Sequence, residues 1–244
     1  MTHSILDEVR RGLPTLERLE YTRRAYNLLP PLQEPRILDI GCGPGIPTLE
    51  LARISGGKVT GMDIDGKALR ELEQRADELG LSSSIRTLRC SMSGMKFPDG
   101  YFDLVWSEGA AWHIGLRKAL ESWRRLVPPC GFMAIHDGCW IGDDPPAAIR
   151  EYCEKSFPGI STHEENLEMM EGQGYKVIGE FKLPEDAWRR IYFGPLKERI
   201  PSLRKKYGGD EIALAALDRE ENETDLCLEC QHWYGSAFYI LRRD

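Results

Sequence analysis

No stretch of the 244 residues approaches the ~18 consecutive apolar residues of a membrane-spanning helix. The opening MTHSILDEVRRG also lacks the apolar block of a secretory leader, so a cytoplasmic protein with no membrane partner is expected. Low-complexity tracts are missing, and with 41% hydrophobic and 29% charged residues the composition excludes wholesale disorder. Basic residues are in deficit. The 32 Lys and Arg face 39 Asp and Glu, a net charge of -7, which speaks against a general nucleic-acid or anionic-membrane surface. Seven cysteines, odd in number and scattered, do not read as a disulfide framework, and a chain of this length needs none. Cys227-x-x-Cys230, with His232 nearby, has no second pair at matching spacing to complete a zinc site. These cysteines read as small core residues on one helix face, and no metal is expected.

What is present alternates between two periods. At roughly 100–200 residues per domain the chain reads as a single domain over 1–244. Ile5, Val9, Leu16, Leu19, Ala25, Leu28 and Leu29 recur at mostly helical spacing before Pro30-Pro31, which predicts N-terminal helices over 1–35. RILDI then enters a glycine turn, followed by a helix from about Pro47 to Ile54. KVTGMDID, SSIRTLRC, FDLVWSE and FMAIHDG read as further strands, separated by the helices GKALRELEQRADELG and RKALESWRRLVPP. Strands alternating with helices over 36–140 imply a parallel sheet covered on both faces. Beyond Trp140 the pattern changes. Pro145-Pro146 opens a helix, Thr162 with Glu165 forms a capping box, and YKVIGEFKL and YGSAFYILRR read as strands six and seven. About fifty residues between those strands are too many for bare loop, so 184–233 is expected to be a helical cap, broken at Gly194-Pro195, Pro201 and Gly208-Gly209.

Asp39-Ile40-Gly41-Cys42-Gly43-Pro44-Gly45, between a strand and a helix, is the most informative run. Glycines there allow positive φ and close approach of a ligand, and the next helix offers free N–H groups to an anion. Ile46 stands where the dinucleotide fingerprint G-x-G-x-x-G needs its last glycine. Asp63 falls at the end of the second strand, where a carboxylate can accept ribose hydroxyls; capping the next helix is the competing role, which Asp65 could fill equally well.

With these residues in hand, the chain resembles the class I S-adenosylmethionine-dependent methyltransferases over residues 36 to about 140. ILDIGCGPGIPTLELA is similar to their first motif, VTGMDID to the acidic second, FPDGYFDLVWSEG to the strand-four region and VPPCGFMAIHD to the turn into strand five. SEGAAWHIG and the segment from Tyr175 to Arg242 resemble a little-characterised branch near the ubiquinone/menaquinone-type small-molecule enzymes. The resemblance implies an α/β, Rossmann-like three-layer sandwich. Its seven-stranded sheet is mostly parallel with the last strand antiparallel, preceded by N-terminal helices and carrying a helical insertion between strands six and seven. It also implies S-adenosylmethionine as cofactor, with S-adenosylhomocysteine as product. Asp39, Gly41, Cys42, Gly43, Gly45, Asp63, Ile64, Ser91, Met92 and Ser107 would form the binding set. Ser91 stands where the family usually carries an adenine-binding Asp; a hydroxyl can accept the same bond, and the Met92 N–H can reach a ring nitrogen.

The acceptor is expected to be a small molecule beside Glu108, Trp112 and His113, with Trp188 or Tyr192 contributed by the cap. Glu108 could orient an amine or hydroxyl and His113 could remove its proton, against plainer roles as turn cap and helix-start residue. His136-Asp137, at the end of strand five, either faces the pocket or is an edge-of-core polar pair. Trp106 and Trp123 read as core, whereas Trp140 and Trp233, like Trp112 and Trp188, fall near loops or cap. DREENETD reads as a solvated helix face. The alternatives are an NAD-dependent oxidoreductase and a catalytically silent S-adenosylmethionine-binding module, and a homodimer stays open.

Overall fold

RILDI forms the first strand, β1 (Arg36–Ile40), because Ile37, Leu38 and Ile40 are buried on both of its faces, as a central parallel strand requires. The computed structural model describes residues 16–244. The other strands are β2 (Lys58–Asp63), β3 (Ile85–Arg89), β4 (Leu104–Glu108), β5 (Phe132–Trp140), β6 (Tyr175–Lys182) and β7 (Tyr234–Arg243). They pair in the order β3-β2-β1-β4-β5-β7-β6. The first five run parallel, and β7 lies between β5 and β6, antiparallel to both. This is the Rossmann-like sandwich with an antiparallel last strand, and it differs from the all-parallel order of a dinucleotide-binding sheet. Strand order reverses between β1 and β4, which opens a crevice at their carboxyl ends, where ligands of open α/β sheets bind.

The helices are α1 (Leu16–Asn27), α2 (Ile46–Ser55), α3 (Gly66–Glu78), α4 (Leu116–Trp123), α5 (Ala147–Ser156), α6 (His163–Gly172), α7 (Gly194–Lys206) and α8 (Glu211–Glu229). Alternation along each strand sends neighbouring residues to opposite layers. Ile37, Leu104, Trp106 and Phe238 meet Ala25 of α1 and Leu51 and Ala52 of α2. Leu38, Val105, Ile135 and Tyr239 meet Leu120 and Trp123 of α4 and Met170 of α6. Trp106 and Trp123 are wholly buried, as core residues should be. The capping box forms at α6, where the Thr162 hydroxyl accepts the Glu165 N–H and the Glu165 carboxylate accepts the Thr162 N–H. Of the expected N-terminal helices only α1 is described; Ile5 and Val9 lie outside the described residues.

Three expectations are corrected. His136-Asp137 does not end strand five, because the antiparallel partner extends the ladder to the pairing of Trp140 with Tyr234. Gly194-Pro195 is not a break: a widened helical turn, Arg189–Phe193, runs directly into α7, the Gly194 N–H bonding back to the Arg189 carbonyl just where Pro195 has no N–H to give. Pro201 also sits inside α7, so the chain breaks only between Lys206 and Glu211, at Gly208-Gly209. DREENETD is not a solvated face. Glu220 and Thr224 are buried, Arg204 pairs with Asp218 (2.6 Å) and Glu221 (2.5 Å), Lys197 pairs with Asp225 (2.6 Å), and Glu223 accepts the Tyr152 hydroxyl (2.5 Å). The run fastens α8 to α7 and α5.

Candidate functional site

The glycine turn is fastened to the end of β2. The Gly41 and Cys42 N–H groups both donate to the Met62 carbonyl (2.8 and 3.1 Å), and the Gly45 N–H donates to the Cys42 carbonyl (3.0 Å). Asp63 then accepts the Gly43 N–H (2.8 Å) and the Asp65 N–H (2.9 Å), while Asp65 itself caps α3 by accepting the Lys67 N–H. Helix capping therefore belongs to Asp65. Asp63 is half-buried at the crevice with acceptor capacity left over, and Ile64 beside it is 69% exposed.

The three turn glycines serve different needs. A Cβ on Gly41 would collide with Ala110, and one on Gly45 with Leu72, so the protein's own packing demands glycine there. Gly43, at φ +53°, would direct its Cβ into space with no atom within 4 Å. The turn is thus open at Gly43, next to the Asp63 carboxylate, where a ligand can approach the backbone. Ser91 is exposed on the far side of β2, its hydroxyl accepting the Ser93 N–H at 3.3 Å, and Met92 is half-buried with its carbonyl accepting Trp123 Nε1 at 3.4 Å.

Three side chains of the expected binding set face inward. Asp39 is 1% exposed and accepts the Thr48 hydroxyl (2.6 Å), and burial pushes its pKa up to about 7. It ties α2 to β1. Cys42 packs against Leu49 and Leu69, and burial raises its thiol far above the ordinary range, so only its backbone faces the turn. Ser107 is wholly buried and donates to the Ile40 carbonyl (3.0 Å), stitching β4 to β1.

The two residues expected to be catalytic lie in different settings. Glu108 is 7% exposed beneath α1, where it accepts the Thr22 hydroxyl (2.8 Å) and Trp106 Nε1 (2.9 Å) and stands 3.6 Å from the Arg18 guanidinium. Burial raises its pKa, and those three donors pull the other way. It is not a cap for the turn at Gly109. His113 ends a short 3₁₀ turn (Ala111–His113), exposed and stacked on Trp112 with ring centres 3.7 Å apart. Burial lowers its pKa and the Asp63 charge partly restores it. Trp112 Nε1 donates to the Gly109 carbonyl (2.9 Å).

In the middle of β5, His136 bonds to the Ser236 hydroxyl (2.9 Å) and stacks on Phe238 and Trp188; Trp188 Nε1 donates to the same hydroxyl (3.0 Å). Burial drives the His136 pKa down to about 3, and its buried Nδ1 has no partner among the described residues. Asp137 is 4% exposed on the opposite face, accepts, among the described residues, only its neighbour Gly138 N–H (2.9 Å), and is pushed up to about 7 by burial. Tyr192 packs edge-on against Trp188 and Phe193. Arg18 and Thr22 carried no local signal in the sequence, since Thr22 meets Glu108 across 86 residues of chain.

The sheet order, the crevice at its switch point and the open glycine turn paired with a second-strand carboxylate define a class I methyltransferase fold. Residues 37–131 match the family described as a methyltransferase domain. Over its whole length the chain superposes on a methyltransferase of Geobacter sulfurreducens solved with S-adenosyl-L-homocysteine, with a TM-score of 0.83 and 21% identity, covering 100% of this chain and 98% of that one. It is 37% identical over 151 residues to the methyltransferase phqN of Penicillium fellutanum, covering 59% of this chain and 46% of the relative. To a sterol 24-C-methyltransferase of Gibberella zeae it is 30% identical over 110 residues, 45% of this chain and 28% of the relative. The chain thus spans less than half the length of these two curated relatives.

Proposed function

We propose that the protein transfers a methyl group from S-adenosylmethionine to a small-molecule acceptor. The observation that carries this reading is the Gly43–Asp63 hydrogen bond beside the open face of Gly43, a cradle with backbone on one side and a carboxylate on the other. Asp63 suits ribose hydroxyls, which donate to a carboxylate. The exposed Ile64 offers an apolar face to a purine, the Ser91 hydroxyl can accept an adenine amino group, and the Met92 N–H can reach a ring nitrogen. Gly41, Gly43 and Gly45 carry the amino-acid portion.

When bound, S-adenosylmethionine supplies an electrophilic sulfonium methyl. Alignment and exclusion of water provide most of the rate in such a displacement, so the chain's residues act chiefly by position. The segment 184–233, with Trp188 and Tyr192, closes over the β5–β7 side as an acceptor-facing cap, and His113, exposed in the short turn after β4, is available as a base. The relatives named above, a sterol methyltransferase among them, support a small-molecule acceptor, and the sequence likeness of 175–242 supports placement near the ubiquinone/menaquinone-type enzymes. Calorimetry with S-adenosylhomocysteine, followed by incubation of a metabolite extract with methyl-labelled S-adenosylmethionine, tests the proposal. Saturable binding and a labelled small molecule are expected. Absence of binding, with a shift in NADH fluorescence instead, would replace this reading with an oxidoreductase.

A further inference from the structure

The two halves of α1 are held in different ways. The second half is anchored in the core: Ala25 is wholly buried with Leu51 and Ala52 of α2, Arg23 Nε donates to Glu50 of α2 (2.7 Å), and the Arg24 guanidinium lies 4.0 Å from the centre of the Phe181 ring. The first half buries no side chain over residues 17–21, and Tyr21 only packs half-buried on the edge of that core. Polar contacts hold it at two points. At one, the Glu108 carboxylate at the end of β4 accepts the Thr22 hydroxyl (2.8 Å) and faces Arg18 (3.6 Å). At the other, Arg190 of the cap's widened turn donates from Nε to Glu17 Oε1 (2.7 Å), while its Nη2 stands 2.6 Å from the same oxygen and 3.4 Å from the Tyr21 hydroxyl.

The cap side of this second contact is fixed. Trp188, just before the turn, donates to Ser236 of β7 (3.0 Å), and Ile191 within it is buried. Arg189 reaches the end of α8, donating from Nε to the Gln231 side chain (3.1 Å) and from Nη2 to the Leu228 carbonyl (3.3 Å). Asp186 pairs with Arg190 Nη1 and steadies the guanidinium from behind. Glu108 lies in register with His136, and His136 bonds Ser236, so both anchor points belong to one face at the carboxyl edge of the sheet. The first half of α1 therefore lies across the crevice edge, between Glu108 and the cap.

We propose that residues 16–22 of α1 form a flap over the crevice and that Arg190 is the positioning residue that fastens it to the cap, so that the Glu17–Arg190 contact sets how fast cofactor and product enter and leave. The inference rests on the methyltransferase reading above. Segments with few buried apolar contacts open locally at low cost, which places the hinge where buried packing begins, at Thr22–Arg23. An exposed ion pair holds weakly, as a flap that releases at every turnover requires. The planar guanidinium suits the task, because it can address Glu17 with two nitrogens and Asp186 with a third. The contact is made within the protein and touches neither ligand, so it acts on entry and exit alike.

Stopped-flow tryptophan fluorescence with S-adenosylhomocysteine, on the full chain and on Glu17→Gln, Arg190→Gln and the double variant, tests this. Each single variant should speed association and dissociation together by about two- to fivefold, with the dissociation constant and the melting temperature unmoved. The double variant should be no faster than either single one, and Arg190→Lys should recover part of the loss. Sodium chloride should speed both rates in the native chain and leave the double variant unchanged. In the protein without ligand, hydrogen exchange should quicken in the first half of α1 and stay slow in the second. Unchanged rates in the single variants, additive effects in the double one, or a loss of affinity that tracks the melting temperature would overturn the proposal. Failure of S-adenosylhomocysteine to bind would overturn the methyltransferase reading instead, and exchange in the ligand-free protein, if it ignored Arg190→Gln, would still overturn the flap.

Discussion

The N–H of Gly43 donates to the carboxylate of Asp63 at 2.8 Å across twenty residues of chain, joining the turn after β1 to the end of β2. One carboxylate thereby shapes the turn and presents lone pairs to the crevice. Hydrogen bonds to charged groups contribute about 1.5–3 kcal/mol, so Asp63→Ala should weaken S-adenosylhomocysteine binding about ten- to a hundredfold. Asp63→Asn, which keeps one acceptor for Gly43, should lose less. Calorimetry on folded variants decides, and unchanged affinity in Asp63→Ala would remove the carboxylate from the site.

The glycines separate packing from binding. Gly41→Ala and Gly45→Ala should lower the melting temperature, because the added methyl groups collide with Ala110 and Leu72. Gly43→Ala meets no neighbour and should cost only about 1 kcal/mol for its left-handed backbone, yet it should impair cofactor binding out of proportion to that loss. Melting curves beside cofactor titrations test the contrast, which fails if affinity tracks stability equally in all three.

The periodic, local features of the fold were legible in the sequence. Alternation and turn residues located every strand, the Thr162–Glu165 box located α6, and the glycine run with Asp63 located the crevice. What stayed hidden depends on pairing across long separations. Nothing in ILDIG says that Thr48 will claim Asp39, nothing in LVWSE that Ser107 will turn to Ile40, and nothing near Glu108 that Thr22 and Arg18 will close over it. Proline and glycine misled at Gly194-Pro195, where a widened helical turn absorbs the missing N–H. Asp137 was visible only as half of a polar pair, because its isolation is a property of the packed interior.

Burial of Asp137 carries a pH signature. Its pKa rises from an ordinary carboxylate value of 3.8 to about 7 on folding, so between those values the folded chain holds more protons than the unfolded one. Its contribution is fully present below about pH 4 and is lost as pH rises through about 7. Asp39 shifts the same way and His136 the opposite way, so the clean quantity is the difference between two proteins that share those groups. The stability of the native protein relative to Asp137→Asn should fall between about pH 4 and 7 and then level off. Parallel denaturation curves would show no trend if the carboxyl found a counter-ion.

Trp188 joins the cap to the sheet through Ser236, which also meets His136. If 184–233 closes on the acceptor, hydrogen exchange around Trp188 and Tyr192 should slow when cofactor and acceptor are both present. Trp188→Phe should retain cofactor affinity while raising the acceptor's KM. Exchange indifferent to both ligands would leave the segment as a structural or oligomer-contact element.

Glu108 is the residue whose expected role changes most. Its carboxylate gathers the Thr22 hydroxyl, Trp106 Nε1 and the Arg18 guanidinium, two of them from α1, so its first task is to hold that helix over the sheet. Thr22→Val removes one donor and should cost about 1 kcal/mol. Glu108→Ala strands two buried donors and a guanidinium together, and should cost about 2–4 kcal/mol. Glu108→Gln keeps an acceptor oxygen but turns its amide against Arg18, and should fall between them. Faster hydrogen exchange confined to residues 16–27 would identify the loss as undocking of α1 rather than global weakening. Turnover should follow that undocking, so Thr22→Val and Glu108→Gln are expected to lie on one line of activity against α1 protection. If Glu108→Gln instead kept α1 protected and cofactor affinity intact while turnover disappeared, the carboxylate would be acting on the acceptor directly.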